Sequence, residues 1–151
     1  MSLLFVFIAT AWSAHRTGLI EVRDGAVTLR EPTGQVSTVA PRGEGQVMAR
    51  LGGCIVEVSG LHLGRRQWVR KLSVVDAGDG TPAYMGVLRR YGGNWLIDDV
   101  NSAATLKVQP PTSLDLAPYD GQRVLLSGVV VGAQTLRVIS LRALEEPGQG
   151  G

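Results

Sequence analysis

Apolar and polar residues alternate along this chain in short runs closed by glycine or Asp-Gly, a pattern that predicts β-strands joined by tight turns. Leu19-Ile20-Glu21-Val22 leads through Arg23-Asp24-Gly25 into Ala26-Val27-Thr28-Leu29. Asp-Gly between two such segments predicts a hairpin. Further strands are predicted over 35–39, over 55–58 stopped by Ser59-Gly60, and over 68–75. The order then recurs: Tyr91-Gly92-Gly93 stands where the Asp-Gly turn stood, and strands follow over 105–108, 123–126 and 135–141. About five strands per unit at this spacing predict a small barrel.

Shifting the sequence against itself by about 68 positions pairs Gly18 with Gly86, Gly25 with Gly93, Gly53 with Gly121, Gly60 with Gly128 and Gly64 with Gly132. With this glycine content roughly one such match is expected by chance over a unit of that length. The shift also pairs Val56 with Val124, Ser59 with Ser127 and Ala49 with Ala117. Apolar positions stay apolar: Leu19 and Ile20 meet Val87 and Leu88, Val27 and Leu29 meet Trp95 and Ile97, and Val58 meets Leu126. The register slips by a residue in two places, pairing Val39 and Pro41 with Val108 and Pro110, and Val69, Arg70 and Ser73 with Leu136, Arg137 and Ser140. Glycines recurring at fixed spacing mean recurring turns. An internal duplication is therefore expected, with a first unit over 15–75, a linker over 76–85 and a second unit over 86–144.

The second unit contains Leu116-Ala117-Pro118-Tyr119-Asp120-Gly121-Gln122-Arg123-Val124, Leu126-Ser127-Gly128 and Leu136-Arg137-Val138-Ile139-Ser140-Leu141. These segments resemble the bacterial OB-fold, whose five-stranded domains follow the outline Leu-x-x-Tyr-x-Gly-x-x-Val, Val-x-Gly and Leu-x-Val-x-x-Leu. In the first unit Leu51-Gly52-Gly53 replaces the tyrosine segment. The resemblance implies an all-β chain of two tandem small OB-like barrels, and it transfers a fold without an activity. The OB-fold places a helix between its third and fourth strands. Here Pro110, Pro111 and Pro118 leave room for one turn at most, which points to a reduced or partly open barrel.

Composition agrees with this architecture. With 151 residues, 44% hydrophobic and 19% charged, the chain has apolar surface for one medium core or two small ones. Twenty glycines against 5% aromatics favour many turns over long helices. A net charge of +2, with both signs interspersed, excludes the uniform field of a general nucleic-acid binder. Cys54 is the one cysteine, which excludes an intrachain disulfide and a cysteine-rich metal site, and it is expected to be buried. Within residues 1–14, Leu3-Leu4-Phe5-Val6-Phe7-Ile8 followed by Ala9-Thr10-Ala11 looks like an export signal, which would make the protein periplasmic or secreted. The alternative is a first strand or interface segment in a cytoplasmic protein, since the run is too short for about 30 Å of hydrocarbon. This segment is the sole expected link to a membrane. The tail 145–151 has no apolar residue to bury and is expected to stand apart from the fold.

Candidate chemistry is sparse. Arg65, Arg66, Arg70 and Lys71 surround Trp68 in the most basic segment, interleaving charge with an aromatic ring as a single-strand platform does. Trp68 matches Leu136 at the main shift, which predicts a core position and leaves Arg65 and Arg66 as a solvated hairpin tip. Trp95 matches Val27 and Tyr119 matches Leu51, so both rings are expected inside. Tyr91, beside Arg89 and Arg90, matches the polar Arg23 and is expected to be exposed. Asp98, Asp99 and Asn101, and Asp76 with Asp79, lack the spacing of a calcium loop and read as turn-makers. His15 and His62 have no third ligand nearby, and no Gly-x-Ser-x-Gly elbow is present, so neither a metal, a cofactor nor nucleophilic catalysis is expected.

The function expected from the sequence is a non-catalytic binding or scaffolding module of the cell envelope, recognising a protein or another polymer through strand edges and loops. The alternative is a single-stranded nucleic-acid-binding protein using Arg65, Arg66, Arg70, Lys71, Arg89, Arg90 and Tyr91.

Overall fold

The computed structural model describes residues 14–100 and 103–145. The apolar run at 3–8, Asn101 and residues 146–151 of the tail lie outside these. The described residues are all-β, as predicted. The first strands are β1 (Ala14–Arg23), β2 (Ala26–Arg30) and β3 (Val36–Val39), followed by the short helix α1 (Glu44–Met48). Then come β4 (Ile55–Gly60), β5 (His62–Leu63), β6 (Arg66–Gln67) and β7 (Lys71–Asp76). The remainder is β8 (Ala83–Tyr91), β9 (Asn94–Asp99), β10 (Thr105–Gln109), a 3₁₀ turn (Ala117–Tyr119), β11 (Arg123–Val131) and β12 (Thr135–Ala143). The chain divides into two compact units between Ser73 and Val74.

In the second unit five strands close into a barrel in the order β10-β12-β11-β8-β9. A parallel pairing of β10 with β12 completes the ring. The inward positions alternate along each strand, so Leu88, Ile97, Val108, Leu126 and Leu136 meet in one apolar core. Leu116 caps that core from the 3₁₀ turn, which is all the helix the prolines permit. Trp95 and Tyr119 pack against it, as their matches to apolar residues predicted.

The first unit forms an open sheet in the order β5-β6-β3-β2-β1-β4-β7. The strand predicted over 68–75 begins only at Lys71, as β7, while the separate β6 lies just before the predicted span, across Trp68–Val69–Arg70. The cause is close backbone approach: a Cβ on Gly60 would lie 2.0 Å from the Trp68 carbonyl oxygen. The chain bulges out of the regular ladder there. Backbone bonds still cross the gap, from Trp68 N–H to the Leu61 carbonyl at 2.8 Å and from Arg70 N–H to the Ser59 carbonyl at 2.8 Å. Both ends of the sheet thus belong to one hairpin, β4-β5 against β6-β7. Between the strands predicted over 35–39 and 55–58, where no strand is expected, lies α1, whose Met48 is fully buried.

The pairings of the two units coincide. Leu19↔Arg30 and Arg23↔Ala26 between β1 and β2 become Val87↔Asp98 and Tyr91↔Asn94 between β8 and β9, each residue advanced by 68. Gly18↔Val56 likewise becomes Gly86↔Val124. Across the third strand the advance is 69, since Leu29↔Ser37 becomes Ile97↔Leu106. The hairpins turn on Asp24-Gly25, with φ of 52° and 79°, and on Gly92-Gly93, with φ of 58° and 82°. That left-handed pair is the type I′ geometry that matches strand twist, and it selects Asp-Gly and Gly-Gly. Hydrogen bonds repeat too: Gly53 N–H reaches the Ile20 carbonyl at 2.8 Å, and Gly121 N–H reaches that of Leu88 at 2.7 Å.

The pairings correct one expectation. Val39 pairs with Gln67 as Val108 pairs with Leu136. The residue in the core position is therefore Gln67, and Trp68, placed there from the sequence, faces the other way. The bulge accounts for the error, because it reverses the sign of the local slip assumed in the sequence comparison.

Candidate binding surfaces

Along β6 and the bulge, burial alternates. Arg66 is exposed, Gln67 buried, Trp68 half-buried, Val69 buried and Arg70 exposed. Arg66, Trp68 and Arg70 therefore share an outward face. The Arg66 guanidinium carbon stands 5.7 Å from the Trp68 ring centroid, a cation–π contact that holds the arginine over the indole. Arg65 is exposed in the turn leading to β6, and its carbonyl accepts from Thr38 N–H at 2.6 Å. Lys71 is exposed at the start of β7. The outward row continues across β6 to Thr38 of β3 and Thr28 of β2 through the pairs Thr38↔Arg66 and Thr28↔Thr38.

In the second unit Arg89, Arg90 and Tyr91 end β8. Arg89 is committed to Asp98, with Nε 2.9 Å from Oδ2 and a terminal nitrogen donating to Oδ1 at 2.9 Å. Thr105 Oγ1 also donates to that carboxylate at 2.8 Å. Donation from Arg89 first, and from Thr105 next, holds the Asp98 pKa below the ordinary carboxylate value. Arg30 and Glu21 form the same bidentate pair in the first unit, at 2.9 and 3.3 Å, with the signs exchanged. Arg90 lies 5.7 Å over Trp95, and Tyr91 is 74% exposed, as its match to Arg23 predicted.

A polar group absent from the sequence reading faces inward in the first unit. A terminal nitrogen of Arg16 donates to Glu31 Oε2 at 2.8 Å, and the other approaches His62 Nδ1 at 3.0 Å. His62 Nε2 lies 3.2 Å from Ser37 Oγ. Arginine only donates, so Nδ1 accepts and the neutral ring carries its proton on Nε2, which then donates to Ser37. A ring in that state has no lone pair facing the serine and cannot deprotonate it. Burial first, then the Arg16 charge, lower the His62 pKa, while Glu31 partly opposes them. Gln67 is fully buried; its Nε2 donates to the carbonyls of Leu61 and Trp68, at 3.3 and 3.0 Å. Its Oε1 and the Nε of Arg16 are buried with no hydrogen-bond partner. Part of this group was legible in principle, since Ser37, His62 and Gln67 stand where the second unit has Leu106, Val130 and Leu136, while Glu31 stands where it has Asp99.

Among the described residues, no three His, Cys, Asp or Glu side chains gather as a metal site, and no helix is long and apolar enough to cross a membrane. Cys54 is buried and forms no disulfide. No known protein family and no curated protein matches the chain.

Proposed function

We propose that the chain is a non-catalytic binding module made of two copies of one OB-like barrel, and that its first unit grips an extended polymer, foremost an acidic stretch of protein. The coincident registers support the duplication, as do matched turn glycines: φ is 85° at Gly53 and 78° at Gly121, and 61° at Gly64 and 65° at Gly132. Bonds across the Trp68–Arg70 gap support reading β6 and β7 as one interrupted fifth strand, which makes the open sheet a second barrel. The tautomer of His62 supports the absence of a serine nucleophile.

The observation that carries the binding reading is the outward row of Arg66, Trp68 and Arg70 beside the Gly64-Arg65 turn. OB-folds take oligomers across strands 2 and 3 and between the loops that join strands 1–2 and 4–5. Arg66 pairs with β3, and Gly64-Arg65 is the 4–5 loop on this reading. A second reading, single-stranded nucleic acid, is favoured by the outward indole and by exposed Tyr91, both suited to base stacking.

Fluorescence anisotropy with a labelled oligo-glutamate peptide and a labelled oligo-thymidine tests both. The first reading expects peptide binding that Arg66→Ala and Trp68→Ala each weaken about tenfold. Tighter binding of oligo-thymidine, falling steeply with salt, selects the second reading instead. Binding of neither at low ionic strength refutes both. Placement in the cell envelope belongs to the same proposal and rests on the Leu3–Ile8 run; mass spectrometry of the mature N-terminus checks it.

A further inference from the structure

The outward face of the first unit carries more than charge. Leu63 pairs with Arg66 across the β5-β6 hairpin, and residues directly opposite in an antiparallel pair share a face. Leu63 therefore points outward beside Arg66, while the next pair, His62 and Gln67, points inward. On the other side of Arg66 stands Thr38, and Val36, two residues back along β3, keeps the same face. Leu63 is 55% exposed and Val36 38%, so an aliphatic side chain flanks Arg66 on either side. The Arg66 guanidinium is held over Trp68, two residues further along the chain, and so leans away from Leu63.

The charge on this face is unmatched from within. No Asp or Glu occurs over 58–75. Among the described residues, none of Arg65, Arg66, Arg70 and Lys71 forms an ion pair. Four unneutralised cations beside two exposed aliphatic side chains complement a partner that carries carboxylates and apolar groups together. The second unit lacks this combination, a comparison that rests on the duplication proposed above. Leu63↔Arg66 corresponds there to Val131↔Thr135, and Arg30↔Val36 to Asp98↔Thr105. Val131 is half-buried, and Thr105 donates to Asp98, which Arg89 neutralises. A barrel of this register therefore closes without an exposed aliphatic pair at these two places.

We infer that Leu63 and Val36 make the outward row selective for peptide segments in which an aliphatic side chain stands two residues from a carboxylate. This names the class of sequence taken by the proposed binding module and rests on that reading. An extended peptide sets the side chains of one side about 6.6 Å apart. A carboxylate on the guanidinium of Arg66 thus brings the side chain two residues away over one of the flanking aliphatic groups. Single-stranded nucleic acid offers flat base faces, for which Leu63 and Val36 are no stacking platform, so the same observation favours a protein partner.

The test is fluorescence anisotropy of the full chain with two labelled peptides of equal length and charge, one repeating Glu-Ser-Leu-Ser and the other Glu-Ser-Ser-Ser. The leucine peptide is expected to bind about fivefold more tightly, the effect of partly burying one aliphatic side chain. Leu63→Ser combined with Val36→Ser is expected to bring the two affinities together, and Leu63→Met to keep the preference. A structural disturbance weakens both peptides alike and leaves their ratio unchanged, so the ratio reads selectivity alone. Where the double variant does not fold, each single variant gives the same reading at smaller amplitude. Equal binding of the two peptides by the unsubstituted chain, or a preference that survives both serine substitutions, overturns the inference and leaves the binding of acidic segments in place. Binding of neither peptide refutes the binding reading itself, and the inference with it.

Discussion

Gly86→Ala offers a quantitative check on how the barrel of the second unit is held together. A Cβ at Gly86 would lie 1.9 Å from the Asp98 carbonyl oxygen, and real Cβ atoms essentially never approach below 3.0 Å. Strands β8 and β9 must separate locally by about 1.1 Å, against a normal interstrand spacing of about 4.8 Å. That displacement stretches the ladder around the pairs Gly86↔Asp99, Val87↔Asp98 and Leu88↔Ile97. Losing two or three backbone bonds, each worth roughly 1 kcal/mol net, gives a destabilisation of about 2–4 kcal/mol. Gly18→Ala is the internal control, because its Cβ would lie 2.6 Å from the Arg30 carbonyl oxygen and needs a shift of only about 0.4 Å. It is expected to cost about 1 kcal/mol. Gly132→Ala separates sterics from backbone preference: nothing lies within 4 Å of its Cβ, so its φ of 65° alone sets a cost of about 1–2 kcal/mol. Urea denaturation followed by amide NMR resolves the transition of each unit. With a slope of roughly 1–3 kcal/mol per molar, Gly86→Ala should lower the second unit's midpoint by about 1–2 M. A shift below about 0.3 M, or a larger effect from Gly18→Ala, would refute the packing argument.

Three further outcomes follow from the same contacts. Arg89→Glu places two carboxylates together and should destabilise the second unit by about 0.5–1 kcal/mol. Adding Asp98→Arg should recover most of the loss, because Glu21 and Arg30 already demonstrate the exchanged pair, and a double-mutant cycle measures the coupling. His62 has a folded pKa below 6.5, so under acid the unfolded state binds the proton first. Stability of the first unit should be level above about pH 6.5 and fall as pH drops from there towards the folded pKa, and His62→Gln should flatten that slope in melting curves recorded across the range. Among the described residues the first unit has two orphaned buried atoms, Arg16 Nε and Gln67 Oε1, against Gln122 Oε1 in the second, so native-state hydrogen exchange should be faster at Val56 and Val58 than at Val124 and Leu126; equal or reversed protection counts against it.

What the sequence disclosed was the part of the fold that glycine controls. The turns at Gly25 and Gly93, and the close approaches at Gly18 and Gly86, require glycine for steric reasons. Their spacing therefore carried the hairpin positions and, through them, the registers. Strand β6 resisted this reading because a bulge changes which residues face inward without leaving a compositional mark of its own. Trp68 and Gln67 exchanged faces as a result, and with them went the outward aromatic row. The polar layer was legible only in part, for a different reason. Arg16, Glu31, Ser37, His62 and Gln67 are scattered over four strands and the turn that follows β2, and only the folded sheet brings them together. A search for catalytic spacing has nothing to find there, because the tautomer set by Arg16 makes His62 a donor towards Ser37.

The two units separate what holds this fold from what varies on it. Registers, turn geometry and the backbone bonds of Ile20 to Cys54 and of Leu88 to Gln122, both 2.9 Å, are common to the two. They are set by backbone and glycine, which tolerate almost no substitution. The end layer varies more, since one unit places Tyr84, Leu106, Val130 and Leu136 there beside the buried Asp99, and the other Arg16, Ser37, His62 and Gln67 beside Glu31. An unsatisfied buried polar atom costs about 1–3 kcal/mol, so Arg16 Nε and Gln67 Oε1 in the first unit, and Gln122 Oε1 in the second, each lower stability without helping to specify the register. Conformational specificity, the usual reason for keeping buried polar groups, is already supplied by the turns and close approaches. On the binding reading proposed above, the outward row starts at Arg66 beside buried Gln67, whose side-chain amide donates to the carbonyls of Leu61 and Trp68, so the buried amide fixes the backbone that presents Arg66 and Trp68 outward.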